Sequence, residues 1–238
     1  MKRFWDQATV DRRPEGYGVL LDGRPVRLPG GAPLAVESER LAEAVAAEWS
    51  AAAGGAKGGD MSAADVPLTR LAGTAQERIA PDPAPVAEGL AKYAETDLLC
   101  YRAEDLRLAA LQAEGWQPLL DWAARRHDAW LRVTTGLMPV SQPAEALTAL
   151  RAAVLALPPI DLVALGVLVP AYGSLVLGLA VVEERIGAAE ALRLATLDET
   201  FQEQFWGVDA EAAARRERIA AEVEQAARLL ALARGGGA

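Results

Sequence analysis

The chain has 238 residues and a formal net charge of −9 from 24 basic and 33 acidic side chains; 52% of it is hydrophobic against 24% charged. That much apolar material excludes wholesale disorder, and the acidic balance gives no general attraction to nucleic acid or anionic lipid. A single cysteine, Cys100, and a single histidine, His127, exclude an internal disulfide and every zinc site built from a His/Cys cluster.

The N-terminus, Met1-Lys-Arg-Phe-Trp-Asp6, has two basic residues but no apolar run after them, so it reads as neither a secretory signal nor a transit peptide. The opening stretch is β-like. Residues 16–21 form an apolar strand candidate, Asp22-Gly23 is a two-residue hairpin signal, and 24–28 return with Val26 and Leu28 alternating against Arg27. Pro29-Gly-Gly31 makes a further turn before Leu34-Ala-Val36. Ser38 is then a candidate N-cap for a helix carrying Leu41, Val45, Glu48 and Trp49 at helical spacing. Gly54-Gly55 ends that helix, and the loop 54–59 is rich in Gly and Ala. Residues 65–72 open another helix with Pro67 in its first turn, Pro81, Pro83 and Pro85 break it, and 86–96 are helical again.

Beyond residue 104 the strand signals stop. The periodicity predicts helices over 104–114, 118–134, 143–157, 162–169, 174–186, 188–206 and 210–233. The uncharged run 162–182 is long enough to span a bilayer by the roughly 20-residue rule. Pro170 and Gly173-Ser174 interrupt it, however, and Asp161 and Glu183-Glu184 flank it where a span would carry basic and aromatic anchors. A pair of short core helices and no membrane insertion is the expectation. The predicted fold class is therefore α+β: a small α/β N-terminal domain of antiparallel strands and helices over 1–100, then an all-α domain over 101–238.

Few motifs carry chemistry. No GxxxxGK[ST] or GxGxxG is present, so there is no signal for a bound nucleotide, and no cofactor is expected. His127 sits in a charged helical stretch without a nucleophile motif and reads as a packed or solvated helix residue. The densest cluster is Leu197-Asp-Glu-Thr-Phe-Gln-Glu-Gln-Phe-Trp-Gly207. On a helix, Glu199, Glu203 and Trp206 share one side, and Phe201 and Phe205 share another. A half-buried helix with its Phe residues inward is the plainest reading. An acidic face with an exposed Trp also suits protein docking, and a metal-assisted acidic site around Asp198 and Glu199 is the enzymatic alternative.

Taken in order, the motifs resemble a known family. They are Lys2-Arg-Phe-Trp5, Tyr17 with Leu21–Pro29, Ala47-Glu-Trp49, Pro67-Leu-Thr-Arg-Leu-Ala72, Tyr93 through Arg102, Gln112 with Trp116–Trp122, Gly136 with Pro139-Val140, Gly173-Ser-Leu175, Leu197-Asp-Glu199 and Gln202 through Gly207. The sequence is similar to the assembly chaperones that attend the alpha subunit of the soluble catalytic head of ATP synthase. The resemblance implies a non-enzymatic, ATP-independent protein that binds the unassembled alpha subunit and shields its beta-subunit interface. It implies a bacterial cytoplasmic monomer, with eukaryotic relatives in the mitochondrial matrix. The carried-over contact candidates are Asp198, Glu199 and Glu203, then Trp206, Trp49 and Arg70. The Gly/Ala-rich loop 54–59 departs from the family pattern.

Overall fold

The computed structural model describes residues 2–14, 16–136 and 138–235. They group into two compact units: one holds the described residues up to Asp82 with Pro158–Ala164 and those from Arg228 on, the other holds Pro83–Leu157 and Leu165–Ala227. The division into 1–100 and 101–238 is a proposal about which stretches fold independently, and limited proteolysis checks it. The fold class is α+β, with a small region of antiparallel strands at the N-terminus and a mostly helical remainder.

In the first unit, β1 (Ala8–Arg13) pairs antiparallel along its whole length with β2 (Gly16–Leu21). The other edge of β2 takes β3 (Arg24–Pro25) and β4 (Ala35–Val36). The predicted Asp22-Gly23 turn joins β2 to β3, with both residues at positive φ (47° and 79°) as this hairpin type requires. The Asp22 carboxylate accepts the Asp6 and Gln7 N–H groups, and those two bonds hold its pKa below the ordinary value. Ser38 caps α1 (Glu39–Ala51) as expected, accepting from the Leu41 N–H. The inner face of α1 buries Leu41, Ala42, Val45 and Trp49. At its far end the buried Arg3 guanidinium donates to the Ser50 and Ala52 carbonyls, helping to satisfy the end of the helix.

Two of the family motifs meet here. The buried Glu48 carboxylate accepts the Leu68 and Thr69 N–H groups at 2.7 and 3.1 Å, at the start of α2 (Pro67–Thr74). An acid aimed at free N–H groups satisfies the helix start and matches its dipole. The Trp49 indole N–H donates to the Thr69 hydroxyl at 2.9 Å, and the Trp49 carbonyl accepts the Trp5 indole N–H at 3.0 Å.

The second unit is built from helices around a short, fully apolar one. Its elements are α3 (Ala84–Ala91), α4 (Leu106–His127), α5 (Ala144–Leu155), the latter part of α6 (Pro159–Tyr172), α7 (Leu175–Val182), α8 (Ala188–Ala195), α9 (Leu197–Trp206) and the earlier part of α10 (Ala210–Ala233). Every residue of α7 is buried. A helix apolar on all sides needs protein on all sides, which accounts for the uncharged run. Gly173 (φ 63°) and the N-cap Ser174 separate α6 from α7, as the sequence predicts. Gly178 lets the two pack closely: a Cβ there would lie 2.6 Å from a Val169 methyl. Among the described residues no helix is long and apolar enough to cross a membrane. The fully buried Asp97 binds this turn, accepting the Ser174 hydroxyl (2.7 Å) and the Leu99 and Val176 N–H groups (both 3.0 Å).

Four sequence expectations need correction. Strand β1 is absent from the predicted set. The stretch 104–134 holds one helix, Leu106–His127, not two. Pro118 lies inside it, and the packing of Trp116, Leu119 and Leu120, all 5% exposed or less, offsets the roughly 3 kcal/mol cost of an interior proline. The 188–206 stretch is two helices, parted at Thr196, whose backbone (φ −101°, ψ 15°) leaves the helical region. The helical part is not free of strands, since β5 (Tyr101–Arg102) pairs parallel with β6 (Thr134–Thr135).

Candidate functional site

The six contact candidates fall into three environments. Trp49 lies in the core of the first unit, 7% exposed, with its one polar atom bonded to Thr69. Arg70, on α2, is exposed and has no ion-pair partner among the described residues. The other four sit together on α9 in the second unit.

The three acids of α9 are engaged within the protein. Asp198 accepts the Gln112 side-chain amide of α4 at 2.7 Å. Gln112 is fully buried and held in turn: its side-chain oxygen accepts the Ala103 N–H at 2.7 Å, and its carbonyl accepts from the Arg102 guanidinium, which lies over the Trp116 ring. Glu199 meets Arg215 and Arg216 of α10 at 3.1 and 3.3 Å. Glu203 meets Arg216 at 2.5 Å, and this half-buried pair holds the guanidinium pKa above its ordinary value. The face expected to be free and acidic is therefore tied to α4 at one end and to α10 along its side.

Its aromatics are the exposed part. Trp206 is 88% exposed, and Phe205 and Val208 are exposed beside it in sequence. Phe201 and Phe205 pack with their rings tilted 60° and 5.3 Å between centroids, and the Arg107 guanidinium lies over them at 5.8 and 5.3 Å. Leu106, the first residue of α4, is 85% exposed. The inward placement expected for Phe205 is thus corrected. Gly207 (φ 81°) ends α9, so the helix that would have covered Trp206 does not continue. The sequence points to Trp206 but not to the exposed Leu106 and Val208, nor to Arg107, whose guanidinium meets Phe201 and Phe205. The available signal was the Leu-Arg pair just after the Asp105 N-cap, where a first-turn apolar residue has little helix to pack on.

Elsewhere the reactive groups are quiet. Among the described residues no three His, Cys, Asp or Glu side chains gather as a metal site, and Asp198 and Glu199 already have partners, so the metal-assisted alternative gains nothing. Burial pushes the Cys100 thiol up to about 12. His127 packs edge-on against Trp122 with Nε2 3.0 Å from a Glu183 oxygen, and burial lowers its pKa.

Exposed apolar side chains rimmed by charged ones have the composition of protein-binding surfaces. Comparison with known proteins gives the class a family: the model of the family described as ATP12 chaperone protein matches residues 2–124. In three dimensions the chain is similar to Atp12 from Paracoccus denitrificans, with 43% identity, a TM-score of 0.90 and 98% of each chain covered. An aspartate-to-lysine variant of that protein matches equally well, with 43% identity, a TM-score of 0.90 and coverage of 98% of this chain and 97% of that one. A protein from Agrobacterium tumefaciens follows at 35% identity and TM-score 0.88, covering 97% of this chain and 85% of that one. The chain belongs to the ATP12 chaperone family.

Proposed function

We propose that this chaperone acts in ATP synthase assembly, by binding the unassembled alpha subunit of the catalytic head. It covers the apolar surface that the beta subunit later takes, and leaves when the beta subunit arrives. A free subunit with a large apolar interface is prone to aggregate, and a partner of moderate affinity protects it without blocking the permanent contact. The observation that carries this reading is the exposed run Phe205, Trp206 and Val208 at the end of α9, whereas Trp5, Trp49 and Trp116 of the earlier motifs are packed inside. No nucleotide is needed for such a cycle, because the beta subunit displaces the chaperone by mass action. We place the protein in the bacterial cytoplasm as a monomer, with Trp206 as the chief contact and Arg70 as a secondary one.

Co-expression with an ATP synthase alpha subunit, without the beta subunit, tests the reading. The alpha subunit is expected to move into the soluble fraction and to copurify with the chaperone. Added beta subunit is expected to release it. An alpha subunit equally insoluble with and without the chaperone overturns the proposal.

A further inference from the structure

The acids of α9 and its aromatics have different jobs, and the ion pairs show how they divide. Glu199 and Glu203 lie opposite two arginines, Arg215 and Arg216, in contacts of 2.5 to 3.3 Å. A partner cannot take up those carboxylates without first separating them from α10. Glu203 and Arg216 are only about one-fifth exposed, at 19% and 21%, so most of the pair already faces protein. At the end of α9 Phe205, Trp206 and Val208 remain open, and so does Leu106, next to Arg107 in the chain. Arg107 is 69% exposed in its side chain and lies against the aromatic rings, with the Asp105 carboxylate at 3.7 Å.

We infer that α9 docks its client through this aromatic platform, and that Asp198, Glu199 and Glu203 are positioning residues that fasten the platform to α4 and α10. The inference rests on the client-binding function proposed above and deepens it by naming the client's chemistry. The occupant is an apolar patch of the unassembled subunit whose border is acidic. The apolar part follows from the internal neutralisation of the α9 carboxylates, which leaves a ring-and-aliphatic surface. The acidic border follows from Arg107, the charged group in contact with the platform, which is matched at longer range than the acids are. Fastening has a physical value here. A ten-residue helix is marginal alone in water, and an exposed aromatic end adds nothing to its own stability. A platform held in place before binding loses less entropy on docking than one that must order with its client.

A charge-exchange series separates this from direct contact by the acids. Alpha-subunit capture on co-expression would be measured for Glu203→Arg, Arg216→Glu and the double variant, with amide hydrogen exchange over 197–206 read in parallel. Each single exchange is expected to speed exchange in α9 and weaken capture, and the double variant is expected to restore both. Trp206→Ala is expected to weaken capture about tenfold or more, as truncation of an interface hot spot does, with hydrogen exchange unchanged elsewhere. Arg107→Glu is expected to weaken it by less. A double variant that recovers slow exchange but captures as poorly as Glu203→Arg would mean that the client touches the carboxylate itself, and would overturn the inference. So would undiminished capture by Trp206→Ala, or a wild-type dimer that Trp206→Ala dissociates, since the platform would then be covered by a second copy. Failure of the wild-type protein to capture the alpha subunit would instead overturn the proposed function.

Discussion

Trp49 and Trp206 come from equally distinctive motifs, yet they occupy opposite environments. Trp49 is 7% exposed, with its indole N–H on Thr69 and its carbonyl on Trp5. Trp206 is 88% exposed at the end of a helix that glycine stops. The first belongs to a set of buried polar contacts that fix how α1 meets α2, and the second is presented by a set of ion pairs that fix where α9 lies. A family motif thus marks a constraint without saying whether the constraint is on the fold or on the surface. Burial and the whereabouts of each polar atom make that distinction.

Truncating the buried member should have the largest effect. Trp49→Ala is expected to destabilise the protein by about 3–5 kcal/mol, the usual cost of emptying a buried tryptophan site. Capture of client per folded molecule should stay unchanged, and a titration with the folded fraction determined by circular dichroism checks both. If capture per folded molecule falls as well, the comparison breaks, and Trp49 returns to the contact set. In the second unit, Asp97→Ala is expected to cost about 3 kcal/mol in urea unfolding, because the Ser174 hydroxyl and the Leu99 and Val176 N–H groups lose a buried acceptor together.

Much of the fold is legible in the sequence because it depends on local chemistry. Asp22-Gly23 demands positive φ, Ser38 supplies a cap, and Gly173-Ser174 ends one helix and starts the next. The failures come where distant packing overrides the local signal. Pro118 should break a helix, but Trp116, with its indole N–H on the Leu194 carbonyl, and the buried Leu119 and Leu120 hold it through. Strand β1, Ala-Thr-Val-Asp-Arg-Arg, is too polar to read as a strand alone and forms only because β2 offers an edge. In the site, the helix and its exposed Trp206 are legible from periodicity. The arginines that occupy its acids are not, since Arg216 lies 13 residues from Glu203 and no spacing rule joins them.

The pH dependence sharpens the buried side of the comparison. Burial raises the Glu48 pKa above its ordinary value of 4.5, against the lowering effect of its bonds to Leu68 and Thr69. The folded protein therefore keeps that proton to higher pH than the unfolded chain does. The associated stability is fully present below the ordinary carboxyl pKa and is lost as pH rises through the raised one. Glu48→Gln has no such titration. The Tm of the wild type relative to Glu48→Gln should accordingly fall as the pH is raised from about 4 toward neutrality. Asp97, raised in the same direction by burial, titrates in both proteins and cancels in the difference. A difference that is flat or rises with pH would mean the bonds to α2 outweigh burial, with the carboxylate held ionised as a helix cap.

The smallest stability effect belongs to the exposed tryptophan, and its smallness is what makes it informative. Trp206→Ala removes a side chain with almost no buried area, so its unfolding free energy should change by no more than about 0.5 kcal/mol. Arg70→Ala should behave alike, being exposed and without an ion pair among the described residues. The two part company in binding: Trp206→Ala should lose most of its client capture, and Arg70→Ala a small part or none. A residue that costs nothing to the fold but much to capture can only be acting at the surface. If both variants captured client as the wild type does, the exposed end of α9 would lose its role, and other open apolar residues, among them Trp130 and Met138 on the segment after α4, would be the next to substitute.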